Sequence, residues 1–445
     1  MNQRLLITAT SSDCGKTTLT LALLSALKAR GLPLVSYKSG PDYIDPAFHR
    51  RVLGIESYNL DPFFLERDGL CQILDRARDR LAIIEGAMGY YDGIGPEGKC
   101  SSYELARACD MPVLLVVNGK KLYQSIAAMA QGYRDFRPDS RIRGVIINRI
   151  KPYLYPDLSA ILAEAGIKSY GFLPELPEAA LASGYLGLKP PGDAQWQTAI
   201  SGLSEAAEEY LDIEGLLALA AGASDLDYQK TDIEALGHFR LAVARDAAFC
   251  FLYPENILVL EKMGAEVLYF SPLNGDVLPD KTDALYLPGG YPEQYAAELA
   301  KSPTTPAIRS ALERGLPCIA ESGGFLYLQE KLQGQPMVGF LPGNAELTDR
   351  LQGFGYHYLE ARERGSLFGR EGRPFKAHCF HYCRTDSPGE AYCYKRASSG
   401  KTKIAGYAGL RLFAGFAQLY FPSMLEEIRA FAAEALAYQA ERDNI

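Results

Sequence analysis

Short apolar runs alternate with helical segments along most of this 445-residue chain. The run LLITAT precedes a helix predicted from Lys16 to Arg30, and similar runs recur downstream as PLVSYK, LAIIEG, PVLLVVN and GVIINRI. Strand-length runs separated by helices are typical of parallel strands joined by helical crossovers. The first half of the chain is therefore predicted to fold as a parallel sheet covered by helices.

The second half shows another alternation, which begins at FRLAVARDAAF and continues through EVLYFSPL, DALYLPGG and LPCIAESGG. After residue 350 the sequence becomes β-rich. Its many aromatic residues are expected to lie in the core and along strands, and a box that binds a ligand ring is the alternative. The predicted organisation is an α/β domain over residues 1–192, a helix and linker over 193–238, in which one helix spans 196–221, and a second α/β domain over 239–445.

The composition narrows the classes of function. A formal net charge of −8 disfavours nucleic acid as the main partner. No apolar stretch approaches the roughly 18 residues that a membrane-spanning helix needs, so we expect no membrane association. The N-terminal stretch lacks the apolar core of a secretory signal, and the nine cysteines are scattered. We therefore expect a cytoplasmic protein with free thiols.

The string TSSDCGKTT, residues 10–18, follows the first apolar run and opens the first helix. It matches the pattern GxxxxGK[ST] except that Thr10 replaces the first glycine. In such a loop, backbone N–H groups and the helix N-terminus bind phosphate, the lysine reaches the β and γ oxygens, and the hydroxyl ligates Mg²⁺. The string predicts a site for ATP and Mg²⁺, and an ordinary helix N-cap is the alternative. The residues assigned to it are Ser12, Gly15, Lys16, Thr17 and Thr18.

Polar residues stand where three of the predicted strands end, and such ends form the ligand crevice of an α/β sheet. Glu85 ends LAIIEG, where a carboxylate would hold Mg²⁺ or its water. Asp42 lies with Lys38 and Asp45 in the loop YKSGPDYIDPAFH, as a candidate metal ligand or substrate-orienting group. Asn148 ends GVIINR and is a candidate contact to the nucleotide base. A capping glutamate, a turn aspartate and a solvated asparagine are the alternatives.

Strings spread from residue 4 to about residue 422 resemble the cobyrinate a,c-diamide synthase family, which is related to dethiobiotin synthetase in its first half. The most specific are KSGPDYIDPAFH and EGAMGYYDG, and LPGGYPE and AESGGFLYL agree with them. The resemblance implies a dethiobiotin synthetase-like P-loop domain followed by an α/β domain of class I glutamine amidotransferase type. It implies ATP-dependent amidation, through an acyl phosphate, of acetate side chains on a corrinoid or other tetrapyrrole.

The resemblance also assigns roles to individual positions. It implies catalytic roles for Asp42, Tyr43 and Asp92, and a metal site formed by Thr17, Asp42 and Glu85; Ile44 falls in the same pattern. Relatives of this kind often dimerise, so a homodimer is one expected assembly.

The string AESGGFLYL follows the apolar run LPCIA and precedes a helical segment. Such a turn holds one side chain as an exposed nucleophile beside backbone N–H groups. The family has a cysteine there and histidines near the C-terminus, whereas this chain has Ser322, with Gln418 and Tyr420 at the histidine positions. A hydroxyl is less acidic than a thiol and needs a base more. We therefore predict a degenerate glutaminase site, and ammonia from solution or from another subunit.

Two other readings of the function stay open. In the first, the chain is a non-catalytic tetrapyrrole- or nucleotide-binding paralogue or partner subunit. Asp13 favours this alternative, because it brings negative charge near phosphate at a position where the family usually has glycine. In the second, the chain is a carboxylate-activating ligase that uses a nucleophile other than ammonia.

Three local features depart from the family or suggest further chemistry. The string GYLGL at 184–188 replaces the family pattern R-H-L-G-L. Cys318, four residues before the elbow, is an alternative nucleophile. In AHCFHYC, the side chains of Cys379, His381 and Cys383 would share one face of a strand, where they would bind Zn²⁺ or an axial cobalt; an ordinary strand is the alternative.

Overall fold

The computed structural model describes residues 3–176, 193–369 and 372–444. It divides into two compact units, Met1–Thr231 and Asp232–Ile445, so the division falls within the predicted linker. The predicted boundary at residue 192 lies outside the described residues. In the part of the chain that the structure describes, no helix has the length and apolar character to cross a bilayer.

The first unit is built on one sheet of seven parallel strands, in the order β3-β2-β4-β1-β5-β6-β7. Every residue of β1 and β2 is buried, as expected for strands covered by helices on both faces. The predicted parallel sheet is confirmed. The strands are β1 Arg4–Ala9, β2 Leu34–Ser39, β3 Ser57–Leu60, β4 Leu81–Glu85, β5 Val113–Asn118, β6 Ile142–Asn148 and β7 Ser169–Leu173.

Eight α-helices among the described residues surround this sheet. The first of them is buried along most of its length, because its apolar residues share one core with the sheet and with the seventh helix. In that core the ring of Trp196 meets the ring of Phe48 edge-on at 4.6 Å. The helices are α1 Lys16–Ala29, α2 Ile44–Phe48, α3 Arg67–Asp75, α4 Ser102–Ala108, α5 Ser125–Asp135, α6 Tyr155–Glu164, α7 Asp193–Tyr210 and α8 Ile213–Ala221.

The single helix predicted over 196–221 is wrong, because α7 and α8 are separate. Leu211 forms a β-bridge with Gly171, which takes it out of the helix. The Asp212 carboxylate then accepts a hydrogen bond from the Gly215 N–H at 2.8 Å and caps α8. Aspartate favours such caps, and the apolar periodicity that continues across it hides the break.

The second unit contains a six-stranded sheet in the order β20-β21-β11-β10-β8-β9, whose β20–β21 pair is antiparallel and whose other pairs are parallel. This confirms the second predicted α/β alternation. Its strands are β8 Phe239–Ala244, β9 Ala265–Phe270, β10 Ala284–Leu287, β11 Cys318–Glu321, β20 Tyr407–Gly409 and β21 Leu412–Gly415. Its helices are α9 Pro254–Met263, α10 Ala296–Lys301, α11 Thr304–Glu313, α12 Gly323–Leu328 and α13 Leu425–Asp443.

Two further sheets confirm the predicted β-rich region. One has the order β13-β12-β14-β17, and the other is antiparallel in the order β19-β18-β15-β16-β22. The inner face of the antiparallel sheet packs into a core that includes Leu359, Ala377 and Phe431. The strands are β12 Lys331–Leu332, β13 Gln335–Pro336, β14 Asn344–Leu347, β15 Gly353–Ala361, β16 Phe375–His381, β17 Cys383–Thr385, β18 Tyr392–Arg396, β19 Thr402–Ala405 and β22 Gln418–Leu419.

Candidate active site

The turn between β1 and α1 has the backbone of a phosphate-binding loop. Gly15 has a φ of 89°, and a Cβ atom there would lie 2.0 Å from Nδ2 of Asn148, so glycine is required. Asp13 also has a positive φ, of 60°, which aspartate tolerates better than most residues. This conformation is the physical reason to expect glycine at position 13, and Asp13 preserves it. Ser12 is exposed on the same turn.

Strand β6 braces this turn. Asn148 Nδ2 donates to the carbonyl oxygen of Cys14 at 2.8 Å, and Arg149 Nη1 donates to that of Asp13 at 3.0 Å. The side chain predicted to contact the nucleotide base therefore also fixes the loop. A cavity of about 300 Å³ adjoins these residues, lined by Thr18, Lys120, Asn148, Arg149, Pro174, Glu175 and Leu176.

Lys16 is buried at the start of α1 and links the turn to the loop after β4. Its Nζ donates to the carbonyl oxygens of Ser11 at 3.0 Å and Met88 at 2.5 Å. Burial lowers the pKa of Lys16. The same loop carries Asp92, an exposed residue whose Oδ2 accepts from the Gly89 N–H at 3.1 Å.

Glu85 is fully buried at the end of β4. Its Oε1 accepts hydrogen bonds from Thr17 Oγ1 and from Lys38 Nζ, both at 2.7 Å. Its Oε2 has no hydrogen-bond partner among the described residues. Burial raises the pKa of Glu85, and Lys38 opposes that shift. A buried carboxylate oxygen without a partner is costly unless a cation or donor reaches it.

Lys38 on β2 is the centre of this cluster, since its ammonium contacts Asp45 and Glu85 and lies 3.8 Å from Asp42 Oδ2. Burial opposes its charge, but the carboxylates outweigh burial and raise the pKa of Lys38 well above its ordinary value. Burial and Asp45 together raise the pKa of Asp42 to about 6, although 30% of its side chain is exposed. Three carboxyl groups around one ammonium leave an excess of negative charge, and oxygen ligands of this kind suit Mg²⁺.

Asp42 also shapes the loop that carries it. Its Oδ1 accepts from the backbone N–H groups of Ile44 at 2.8 Å and Asp45 at 3.2 Å, which is typical of a helix cap. Asn59 on β3 donates to the carbonyl oxygen of Asp42 at 2.7 Å. Tyr43 is buried beside them. One carboxylate oxygen of Asp42 thus holds the loop, while the other faces the Lys38 ammonium.

The second predicted site lies at the turn between β11 and α12. Ser322 has φ 46° and ψ −106°, a strained conformation for a residue other than glycine. Its N–H donates to the carbonyl oxygen of Gly415 at 2.7 Å, and a Cβ atom at Gly289 would lie 3.4 Å from its Cβ. The turn therefore has the form expected of a nucleophile elbow, with serine at its tip.

The Ser322 hydroxyl has no hydrogen-bonded base among the described residues, since no histidine or carboxylate there forms a hydrogen bond with it. Gln418 is buried on β22, and its Oε1 lies 3.3 Å from Nδ1 of His378. Burial lowers the pKa of His378 to about 4, so this histidine is neutral near pH 7 and is held by an amide. Cys318 is fully buried and burial raises its pKa, which removes it as a substitute nucleophile.

Comparison with known proteins decides the family. Residues 5–185 match the CobQ/CobB/MinD/ParA nucleotide binding domain, and residues 240–412 match the CobB/CobQ-like glutamine amidotransferase domain. The cobyrinate a,c-diamide synthases of Thermoplasma volcanium and Priestia megaterium are each 34% identical to this chain, and each alignment covers 99% of both proteins. The hydrogenobyrinate a,c-diamide synthase of Brucella ovis is 37% identical over 92% of this chain and 95% of its own length. The chain belongs to the cobyrinate a,c-diamide synthase family.

In this member of the cobyrinate a,c-diamide synthase family, two residues of the cluster have no role that the sequence predicted. Lys38 and Asp45 form an ion pair at the centre of the carboxylate cluster, and Lys38 also contacts Glu85. A usable signal was the lysine inside the apolar run PLVSYK, because lysine is seldom buried unless it is paired. Tyr133 also braces the site, since its hydroxyl donates to the carbonyl oxygen of Thr10, and no sequence pattern announces that contact.

The metal hypothesis for AHCFHYC is wrong, because its three side chains do not converge. Cys379 lies in the core beneath the antiparallel sheet, whereas Cys383 begins β17 in another sheet and packs in a different core. His381 stacks on Phe416 at 3.7 Å, and its Nδ1–H donates to the Cys383 carbonyl oxygen at 2.7 Å. Among residues 3–176, 193–369 and 372–444, no three histidine, cysteine, aspartate or glutamate side chains are placed to hold one metal ion together. The string GYLGL at 184–188 lies outside these ranges.

Proposed function

We propose that this protein uses ATP and ammonia to amidate acetate side chains of a cobyrinate-type tetrapyrrole, and that its second unit does not hydrolyse glutamine. The names of its relatives support the substrate class, and the nucleotide-binding family of its first half supports ATP. The observation that carries the catalytic half is the carboxylate cluster of Glu85, Asp42 and Asp45 beside the phosphate-binding turn.

The residues of this cluster fit Mg²⁺. Thr17, Asp42 and Glu85 would hold the ion, because they supply hard oxygen ligands and Glu85 Oε2 has no other partner among the described residues. Lys16 and the glycine turn would offset phosphate charge. ATP bound with Mg²⁺ supplies an electrophilic γ-phosphoryl group for the reaction. The fixed positive charges of Lys16 and Lys38 would stabilise charge that develops during transfer.

In the proposed reaction, an acetate carboxylate attacks the γ-phosphorus and ADP leaves, which gives an acyl phosphate. Ammonia then attacks the acyl carbon, phosphate leaves, and an amide and a proton remain. Tyr43 and Asp92 lie in the loops that flank the cluster and would position the acetate. The cavity beside Asn148 and Thr18 would take the nucleotide base, with Asn148 as its polar contact.

The ammonia source is argued from the elbow. Ser322 has no base partner, and Gln418 is bonded to a neutral His378 instead of presenting an imidazole to the elbow. A serine without a base is a very weak nucleophile. Ammonia would therefore enter from solution or from a partner subunit, and the protein would act in the cytoplasm, where its cysteines stay reduced. A homodimer is one expected assembly, because the resemblance to the family implies it.

The decisive experiment is phosphate release from Mg-ATP with cobyrinate, in one reaction with ammonium and in another with glutamine. We expect turnover with ammonium and none above background with glutamine, together with amide products in the mass spectrum. Equal turnover with glutamine would overturn the proposed loss of glutaminase activity. If neither reaction releases phosphate although the protein still binds ATP, the non-catalytic nucleotide-binding alternative is favoured.

A further inference from the structure

The solvent-facing side of the antiparallel sheet is aromatic. Phe354 and Tyr358 on β15 are 51% and 37% exposed, and Phe380 on β16 is 43% exposed. A sheet that packs on the core with one face normally turns polar side chains to water on the other. As expected, these aromatic residues lie along strands, but on this face they are outside the core. Exposed apolar patches of this kind mark binding surfaces.

The strand register arranges these side chains in rows. Phe354 pairs with Phe380, and their ring centroids are 6.2 Å apart; Tyr356 pairs with His378 at 5.6 Å. Tyr358 completes the surface one pair further along β15. We call Phe354, Tyr356, Tyr358 and Phe380 the aromatic face; His378, which lies beside them on β16, is buried.

Two lysines stand at one end of the aromatic face. Lys376 on β16 and Lys395 on β18 are the direct partners of Tyr358 on either side, so all three side chains project from the same face. Lys395 is exposed and forms no ion pair within the described ranges. Glu360, the next outward residue of β15, limits the cationic region on that side.

The dimensions follow from sheet geometry. Three adjacent strands span about 10 Å, and the four-residue step from Phe354 to Tyr358 spans about 14 Å. The surface is thus an apolar area of about these dimensions with cations at one end. Such a surface suits a planar ligand that has an apolar face and carboxylates on its rim.

We propose that the aromatic face binds the macrocycle of a tetrapyrrole polycarboxylate, the substrate class of the proposed function on which this inference rests. The rings of Phe354 and Phe380 contact the macrocycle face, and Lys376 and Lys395 pair with its peripheral carboxylates. This charge complementarity favours a polyanionic ligand over a second copy of a chain whose net charge is −8.

The test is an equilibrium titration of the full-length protein with cobyrinate in the absence of ATP. The absorbance of the ligand reports binding. The variants are F354S/F380S and Lys395→Glu. The matched control is Ile404→Ser on β19, because Ile404 is 46% exposed on the same sheet but lies outside the aromatic rows. We expect the double variant to weaken binding by about tenfold or more and Lys395→Glu by roughly fivefold, with Ile404→Ser close to wild type.

Circular dichroism and sedimentation of each variant accompany the titration. Wild-type binding that none of the aromatic-face variants weakens would overturn the inference and leave the proposed function intact. Failure of the wild-type protein to bind cobyrinate would overturn it as well. Unchanged binding with loss of a dimer in F354S/F380S would instead assign this face to self-association. Weakened binding without any amidation by the wild type would uphold this site and refute the proposed function.

Discussion

The turn after β1 and the turn after β11 have the same construction, yet their surroundings differ. Each joins a buried parallel strand to a helix through a residue with positive φ, Gly15 in the first and Ser322 in the second. Around the first turn, Thr17 and Lys38 engage Glu85. Around the second, Ser322 has a main-chain bond to Gly415 and no base. Backbone geometry alone therefore does not make a reactive site; the neighbouring side chains do.

The two strand-end glutamates show the same contrast. Glu85 and Glu321 are both fully buried and each has one oxygen without a hydrogen-bond partner among the described residues. Glu85 faces the Lys38 ammonium, whereas Glu321 has the Tyr286 hydroxyl at 3.2 Å. One carboxyl group thus belongs to a charged cluster suited to a metal, and the other lies in a core where burial raises its pKa.

The largest effect is expected at the first turn. Lys16→Met and Glu85→Gln should each lower ammonium-dependent phosphate release by roughly 10²–10³-fold, because they remove charge from the proposed site of phosphoryl transfer. Lys151→Met, an exposed lysine outside the cluster, is the matched control and should keep wild-type turnover. If Lys16→Met keeps activity within threefold of wild type, the conclusion that the side chains around the first turn are required for activity is wrong.

The second turn should be repairable. The double variant Ser322→Cys with Gln418→His supplies a thiol and an imidazole, and we expect glutamine hydrolysis at least about 10²-fold above the wild-type background. The elbow already has the required backbone, with φ 46° at position 322. Ser322→Cys alone should gain little, because it lacks the base. The assay is glutamate release from glutamine by the wild type, the single variant and the double variant. If the double variant releases no glutamate, the site lacks other parts that glutamine hydrolysis needs.

The contrast between the glutamates predicts a pH dependence of stability. Burial raises the pKa of Glu321 well above its ordinary value of 4.5, so above pH 4.5 the unfolded chain has lost a proton that the folded chain keeps. Stability should fall as pH rises through this window, by about 1.4 kcal/mol per pH unit from this group, until the folded-state pKa is passed. Glu321→Gln should remove that slope in urea unfolding. The exposed Glu298→Gln should leave it, and an unchanged slope in Glu321→Gln would refute the assignment.

The smallest effect concerns strain at the elbow. Ser322→Gly relieves an unfavourable φ/ψ pair but adds freedom to the unfolded chain, so we expect a net gain of about 1 kcal/mol in the free energy of unfolding. That gain would raise the Tm of the second unit by about 2–4 °C. Ser322→Ala keeps the strain and should match wild type in both Tm and ammonium-dependent amidation. A loss of amidation in Ser322→Ala would show that the elbow still takes part in the reaction.

Much of the fold was accessible from local pattern, and the exceptions have definite causes. The strands ending at Glu85 and Asn148 follow from apolar runs closed by a polar residue. The helix break at Asp212 was not predicted, because in the sequence a capping aspartate cannot be told from an aspartate on the polar face of a continuous helix. Only the β-bridge of Leu211 shows the break. The roles of Lys38 and Asp45 were not predicted, because they depend on β2 lying next to β4 in the sheet.

By itself, the sequence determined the order of strands and helices, the phosphate-binding turn, and the presence of serine and glutamine at positions 322 and 418. These are local properties, fixed by side-chain period, glycine conformation and residue identity. Tertiary structure alone decided that Lys38 joins three carboxyl groups, that Gln418 is bonded to His378, and that Phe354 and Phe380 face water. Such contacts come from strand order and register, which join residues far apart in the chain and leave no periodic trace in it.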